Sequence, residues 1–234
     1  MQQKKIRLAS HADWKDISRI SKASGYADYI NEMGPPYMND GTILVCDIDV
    51  LCGFLKIEML PDSSAWLSGI RVDPEHWRMG IGETLTNAAL LFAISRGASY
   101  ARMLIHSENQ KSVSLALKSG FTWVSRFLFF DGRPDISGML ESDRQYDALV
   151  NVGWRFANHA RLGIKTGTLL AGQGLSVFVY HDHDETFHLL EISKEVSLLP
   201  EGITCVPEAL GSFIKKGKKL EGFEEASVYE KPLF

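Results

Sequence analysis

The sequence predicts a mixed α/β (α+β) protein, with a mostly antiparallel central sheet flanked by helices over residues 1–135 and a small α+β domain over 143–234. Three observations carry this. Two apolar, β-branched runs in TILVCDIDVLCGFLKIEML flank Asp47-Ile48-Asp49 as the arms of a hairpin do. A strand ending at Pro74 is followed at once by apolar residues at helical spacing. Finally, DGRPDISGMLESDRQ mixes Gly, Pro and charge, which marks a boundary near 132–142.

Composition narrows the function. The chain has 234 residues, 45% hydrophobic and 23% charged, as an ordinary globular protein does. Lys and Arg total 25 against 29 Asp and Glu, a formal charge of −4. Such a chain has no general field for nucleic acid or an anionic membrane, so any anion must be held locally. Cys46, Cys52 and Cys205 show no CxxC spacing, and the start is not signal-like, so they read as buried thiols of a reducing cytoplasm. No apolar run approaches the roughly 20 residues needed to cross a bilayer. A cytoplasmic protein is expected.

The elements follow in order. Ile6 to Leu8 forms a short strand, and Ser10 or Asp13 caps a helix with Trp14, Ile17 and Ile20 on one face. Gly34-Pro35-Pro36 excludes regular structure in the stretch that follows. After the hairpin, AWLSGIRVDP is a strand. Ile81, Leu85, Ala88, Ala89 and Phe92 then mark a helix that ends at Arg96-Gly97. SYARMLIHS is a strand, ENQKSVSLALKSG a helix and FTWVSRFLFFDG a strand, an order that requires crossovers and a partly parallel sheet. In the tail we expect a helix around Gln145 to His159, strands in GTLLAGQGLSVFVYH and FHLLEIS, a helix in VPEALGSFIKKG and a last strand. Gly222-Phe223 before that strand echoes Gly120-Phe121, so the tail reads as a degenerate half-copy of the first domain.

The turn RVDPEHWRMGIGETL between the fourth strand and the long helix is the most informative stretch. A helix starting near Gly80 to Glu83 exposes unpaired N–H groups and the positive end of its dipole. Gly80 and Gly82 remove Cβ atoms that would hold a phosphate away, and Arg78 adds a cation. A phosphate-bearing cofactor suits this turn. GIGETL lacks the third glycine of the dinucleotide fingerprint, and no GK[ST] follows for a mononucleotide loop.

From GIRVDPEHWRMGIGETLTNAAL through SENQKSVSLALKSGF, the chain resembles the GNAT superfamily of acyl-CoA-dependent N-acetyltransferases over about residues 4–130. In that family a strand ending V-x-P leads to a Q/R-x-x-G-x-G/A pyrophosphate loop, here Val72-Asp73-Pro74 and Trp77-Arg78-Met79-Gly80-Ile81-Gly82. A later N-x-x-S/A-x-x-L-Y-x-x-x-G-F segment is matched by Asn109, Ser112, Leu115, Ala116 and Gly120-Phe121. Two positions depart from the pattern. Trp77 stands where Gln or Arg is usual, and Ala116 replaces the tyrosine that protonates the departing thiolate in many relatives.

The resemblance implies a GNAT-like domain at 1–135 with acetyl-CoA as cofactor. Pantetheine would pair with backbone groups of Ile70, Arg71 and Val72, and the pyrophosphate would sit on Trp77, Arg78, Met79, Gly80, Ile81, Gly82 and Glu83. Asn109 and Ser112 would approach from the second helix. An amine of a small molecule or peptide would attack the thioester directly, with a backbone N–H near Ile70 to Val72 stabilising the oxyanion. His106 and Glu58 are the candidate bases. SGYADYINEMGPPYMND lies where relatives build the acceptor pocket, and Tyr26, Tyr29 and Tyr37 with Asp28, Glu32 and Asp40 would suit a cationic amine. Competing classes are an inactive acyl-CoA-binding sensor or scaffold, and a protein whose glycine turn is structural only.

Two features of the tail are read as structural. HDHDETFH, with His181, His183 and His188, is a solvated turn rather than a metal site. Lys215, Lys216, Lys218 and Lys219 form the exposed end of a helix. No metal, nucleic acid or membrane partner is expected; a homodimer is compatible with the sequence, which does not itself identify the assembly state.

Overall fold

The structure is a computed structural model that describes residues 3–25, 29–163, 166–181 and 185–233. The chain forms two compact units that alternate along the sequence instead of dividing near 132–142. One is Met1–Arg102 with Ser114–Phe121 and Lys231–Phe234, and the other is Met103–Val113 with Thr122–Glu230.

The first unit contains β1 (Lys5–Leu8), α1 (Trp14–Ala23), α2 (Tyr29–Met33), β2 (Thr42–Ile48), β3 (Val50–Met59), β4 (Ser64–Val72) and α3 (Ile81–Ser95). It also holds the start of β5 (Tyr100–His106) and the end of α4 (Gln110–Lys118). β1 to β4 pair antiparallel in sequence order. The β2–β3 turn is tight, with Asp49 at φ 62, a conformation that Asp tolerates better than most residues. α2 forms where Gly34-Pro35-Pro36 was expected to exclude regular structure. It stops before Gly34, and the prolines open a separate 3₁₀ turn, where a missing N–H costs nothing.

The two faces of this sheet are covered differently. Ile17 and Ile20 of α1, Ile30 and Tyr37 bury against Ile43, Val45 and Phe54. α3 takes the other face through Ile81 and Leu85, close over Gly53. A Cβ there would lie 3.0 Å from Ile81 Cγ2 and 3.2 Å from Leu85 Cδ1. β4 and β5 run parallel, so α3 is the crossover between them. Their pairing starts beside a buried polar knot: Arg102 donates to Asp62 at 2.5 Å and to Ser64 Oγ at 2.9 Å, while Ser64 Oγ donates to Asp62 at 2.6 Å.

The second unit is almost entirely β. After β6 (Thr122–Arg133) come β7 (Leu140–Glu141), β8 (Leu149–Asn151), β9 (Phe156–Asn158), β10 (Thr168–Gly172), β11 (Leu175–Tyr180) and β12 (Thr186–Ile192). β13 (Val196–Ser197), β14 (Leu199–Pro207), β15 (Ile214–Lys216), β16 (Lys218–Lys219) and β17 (Glu225–Pro232) complete it, the last two residues of β17 counting with the first unit. Its main sheet has the order β17-β6-β14-β12-β11-β10-β7. Phe130, Val177, Val179, Phe187, Leu189 and Val206 form the core on one face.

Both helices expected in the tail are absent, and no α-helix occurs among the described residues of 143–234. Residues 145–159 instead carry the β8–β9 hairpin. Gly153 and Trp154 adopt φ 67 and 66, and the Trp154 N–H is held by Asn151 Oδ1 at 2.8 Å, a local bond that competes with helix. Glu208–Phe213 is 3₁₀, with Gly211 so close to β6 that a Cβ would meet Leu128 Cδ1 at 2.4 Å. The lysine run continues as β15 and β16 rather than as a helix end. A half-copy of the first domain would need a helix between its strands, and these residues supply none.

His188 also departs from its expected place in a solvated turn. It lies fully buried in β12, with its ring against Phe127 and Phe156 and with Nδ1 accepting the Asn151 N–H at 3.1 Å. His181 stays exposed, 2.9 Å from Glu185, and His183 lies outside the described residues. Burial lowers the His188 pKa from 6.5 to about 3, with the charge of His159 adding to it.

Two outcomes are expected. Asp62→Ala leaves Arg102 buried without its carboxylate, and thermal or urea unfolding should show a loss of about 3–5 kcal/mol. The unfolded chain protonates His188 more readily than the folded one. Stability is therefore full above pH 6.5 and falls as pH drops from 6.5 towards 3. His188→Leu should lower stability at neutral pH yet flatten that acid-side slope in melts at stepped pH.

Candidate active site

The site residues expected from sequence fall into two groups, one in each unit. The first group is built where β4 meets α3. Phe54 pairs with Arg71 but Lys56 pairs with Ser68, so β4 carries a one-residue bulge at Gly69-Ile70. Gly69 has φ 58, and a Cβ on it would lie 2.3 Å from the Tyr37 hydroxyl. Pairing with β5 covers only Ser64–Trp66, and beyond it Ser68, Gly69, Ile70, Arg71 and Val72 are half-buried. Since Asp73 N–H bonds to Cys52 O at 2.9 Å, ladder alternation turns the backbone groups of Val72 away from β3.

Side chains already address that edge. Trp77 Nε1 donates to Val72 O at 2.9 Å, and Arg71 donates to Ile70 O at 2.9 Å. A pantetheine arm would share these carbonyls. Asp73 anchors the turn by an ion pair with Arg19 and by accepting the Glu75 N–H. Burial acts to raise its pKa, and the Arg19 bond with the Glu75 N–H outweighs burial and holds the carboxyl below its usual range.

The turn itself is exposed at Trp77, Arg78, Met79 and Gly80. Arg78 and Gly80 have φ 62 and 73, and Gly80 is the N-cap of α3. Ile81 is buried under the sheet, whereas Gly82 and Glu83 are half-buried. A Cβ on Gly82 would lie 3.2 Å from Leu115 Cδ2, so this glycine also serves helix packing. A pyrophosphate would suit these residues: exposed Arg78 and Gly80 immediately precede the N–H groups that begin α3.

The second group is His106, Asn109 and Ser112. Asn109 caps α4, its Oδ1 accepting the Ser112 N–H at 3.1 Å, so both residues are engaged in starting the helix. His106 Nδ1 accepts the Glu108 N–H at 3.3 Å, so the neutral ring carries its proton on Nε2. Nε2 is buried with no partner among the described residues, and the ring sits 5.6 Å from that of Phe223. So placed, His106 is a hydrogen-bond donor.

Glu58 lies half-buried on β3 opposite Trp66. Two positions away, Lys56 is buried and donates to Tyr37 O at 3.1 Å, with its ammonium 4.5 Å from the Tyr37 ring centre. Sequence reasoning missed this cation, because an alternating strand predicts an outward lysine. It bears on the expected acceptor pocket, since the ring of the core residue Tyr37 already faces an ammonium. Tyr29, Glu32 and Asp40 are exposed, whereas Tyr26 and Asp28 lie outside the described residues. Ala116 is fully buried. Lys4 was also missed, and its Nζ lies 3.2 Å from the Cβ position of Gly80.

Among the described residues no group of three or more His, Cys, Asp or Glu is placed to hold a metal ion, and no helix is long and apolar enough to cross a membrane. All three cysteines are free and buried, and burial pushes the Cys52 thiol up to about 12.

Residues 12–121 match the family model described as the acetyltransferase (GNAT) family. No curated protein matches the sequence. Among solved structures, a candidate acetyltransferase from Thermoplasma acidophilum has a TM-score of 0.69 at 17% identity, covering 97% of this chain and 99% of that one. Another from Pyrococcus horikoshii has a TM-score of 0.58 at 16% identity, covering 99% and 90%. At these identities the likeness is one of fold, and it extends over nearly the whole chain.

The bulge provides a test. Gly69→Ala meets both a left-handed backbone, at about 1–2 kcal/mol, and the Tyr37 hydroxyl. Thermal unfolding should therefore show a larger loss than for Gly97→Ala, whose φ is 80 but whose Cβ would meet nothing within 4 Å.

Proposed function

We propose that the GNAT-family domain at residues 12–121 uses acetyl-CoA to acetylate an amine of a small molecule or a peptide. The observation that carries this is the exposed turn at the start of α3, where Arg78 and the Gly80 cap stand exposed immediately before the helix's first turn. Ile70 to Val72 would hold the pantetheine arm, and Trp77 to Glu83 the pyrophosphate. A CoA thioester supplies an acetyl carbonyl already activated for attack.

The chain's own groups then have defined tasks. The Val72 N–H, turned away from β3, donates to the carbonyl oxygen as charge develops there. Glu58 accepts the proton the amine must lose. The new N–C bond replaces the C–S bond, and the amine proton balances the thiol released. Free, buried cysteines suit the cytoplasmic location that belongs to the same reading.

A second reading, an acyl-CoA sensor without turnover, is favoured by one observation. Ala116 is fully buried and offers no hydroxyl where relatives place their acid. Calorimetric titration with acetyl-CoA, followed by thiol release over a panel of amines, separates the two.

The expected result is micromolar binding by the wild-type chain and none by Gly80→Glu, which places a carboxylate on the phosphate turn. Absence of binding by the wild type at millimolar acetyl-CoA would sink both readings.

A further inference from the structure

We infer that Lys4 contacts a phosphate at the α3 turn and makes the site select CoA over pantetheine lacking phosphate. The inference rests on the proposed cofactor site and adds to it a residue from outside the loop.

The argument is one of unbalanced charge. Lys4 precedes β1, whose first residue pairs with Asp47 of β2. Its ammonium lies 3.2 Å from where a Cβ on Gly80 would stand. The side chain is half-buried, with no hydrogen bond or ion pair among the described residues. Its charge reaches inward, opposing the burial that raises the Cys46 thiol. A half-buried ammonium beside the positive end of a 15-residue helix is repelled by it, and exposed Arg78 adds to the repulsion.

Three carboxylates of the neighbouring strand, turn and helix are engaged elsewhere. Asp47 accepts from Arg7 at 2.7 Å, and Arg7 also binds Asp13. Asp73 is held by Arg19. Glu83, the one acid in the first turn of α3, pairs with Lys118 at 2.7 Å. Glu75 is exposed on the preceding 3₁₀ turn. The Lys4 ammonium and a helix N-terminus thus meet at Gly80, two residues from exposed Arg78, and an anion of more than one charge would balance them. A pyrophosphate meets that requirement, and pantetheine carries no phosphate at all.

The test titrates the full chain with CoA and, separately, with pantetheine, at low and moderate salt, for wild type, Lys4→Ala, Lys4→Glu and Lys4→Arg. Losing one charge-assisted contact should weaken CoA about tenfold in Lys4→Ala. Lys4→Glu should weaken it further, and Lys4→Arg should restore most of it. The salt dependence for CoA should be shallower in Lys4→Ala, with pantetheine binding unchanged throughout. CoA affinity equal to wild type in Lys4→Ala overturns this inference and leaves the cofactor site standing. An equal loss for pantetheine also overturns it, since the effect would not be on phosphate. A wild-type chain that binds no CoA overturns the cofactor site and this inference together.

Discussion

Two adjacent parallel strands must be joined by a segment that leaves the sheet and returns, and in the first unit that requirement decides nearly everything else. β4 and β5 are parallel at their starts, tied by the buried Asp62–Arg102–Ser64 knot. The crossover is α3, which must begin where β4 ends. The turn from 73 to 80 is therefore both a topological necessity and the place where a helix start faces outward. Gly53, Ile81 and Leu85 seat the helix closely enough to hold that start in one position.

The electrostatics of the turn follow from the same constraint. A buried Asp73 must be neutralised, and Arg19 of α1 does so. Glu83 is drawn to Lys118. Among the described residues, no ion pair takes up Arg78 or Lys4 beside the positive end of the helix. The β4 bulge works alongside. Gly69 lets the strand pass the Tyr37 hydroxyl, and beyond it the backbone of Val72 points to the open side.

The second unit shows where polar burial replaces helix. Asn151 links the hairpin to the sheet, its N–H on His188 and its Oδ1 on the Trp154 N–H. Trp154 is thereby held at φ 66 and stacked on Phe129. Residues 145–159 have an apolar content that would serve a helix, and these few bonds decide for a hairpin. Sequence similarity in the family covers only 12–121, while fold similarity covers nearly the whole chain.

What the sequence by itself determined is whatever local chemistry dictates. Asp47-Ile48-Asp49 has the composition of a hairpin turn, Ile81 to Phe92 can bury only one helical face, and Gly80 marks where that helix begins. These rest on contacts between residues close in the chain. Tertiary structure alone decided the rest. Lys4 reaches Gly80 because β1 lies beside β2, Lys56 turns inward because Tyr37 offers it a carbonyl and a ring, and His106 becomes a donor because Glu108 N–H takes its other nitrogen. His188 is buried because Phe127 and Phe156 close over it. Charge balance and protonation depend on partners distant in sequence or on local geometry set by the fold, and no spacing rule encodes them.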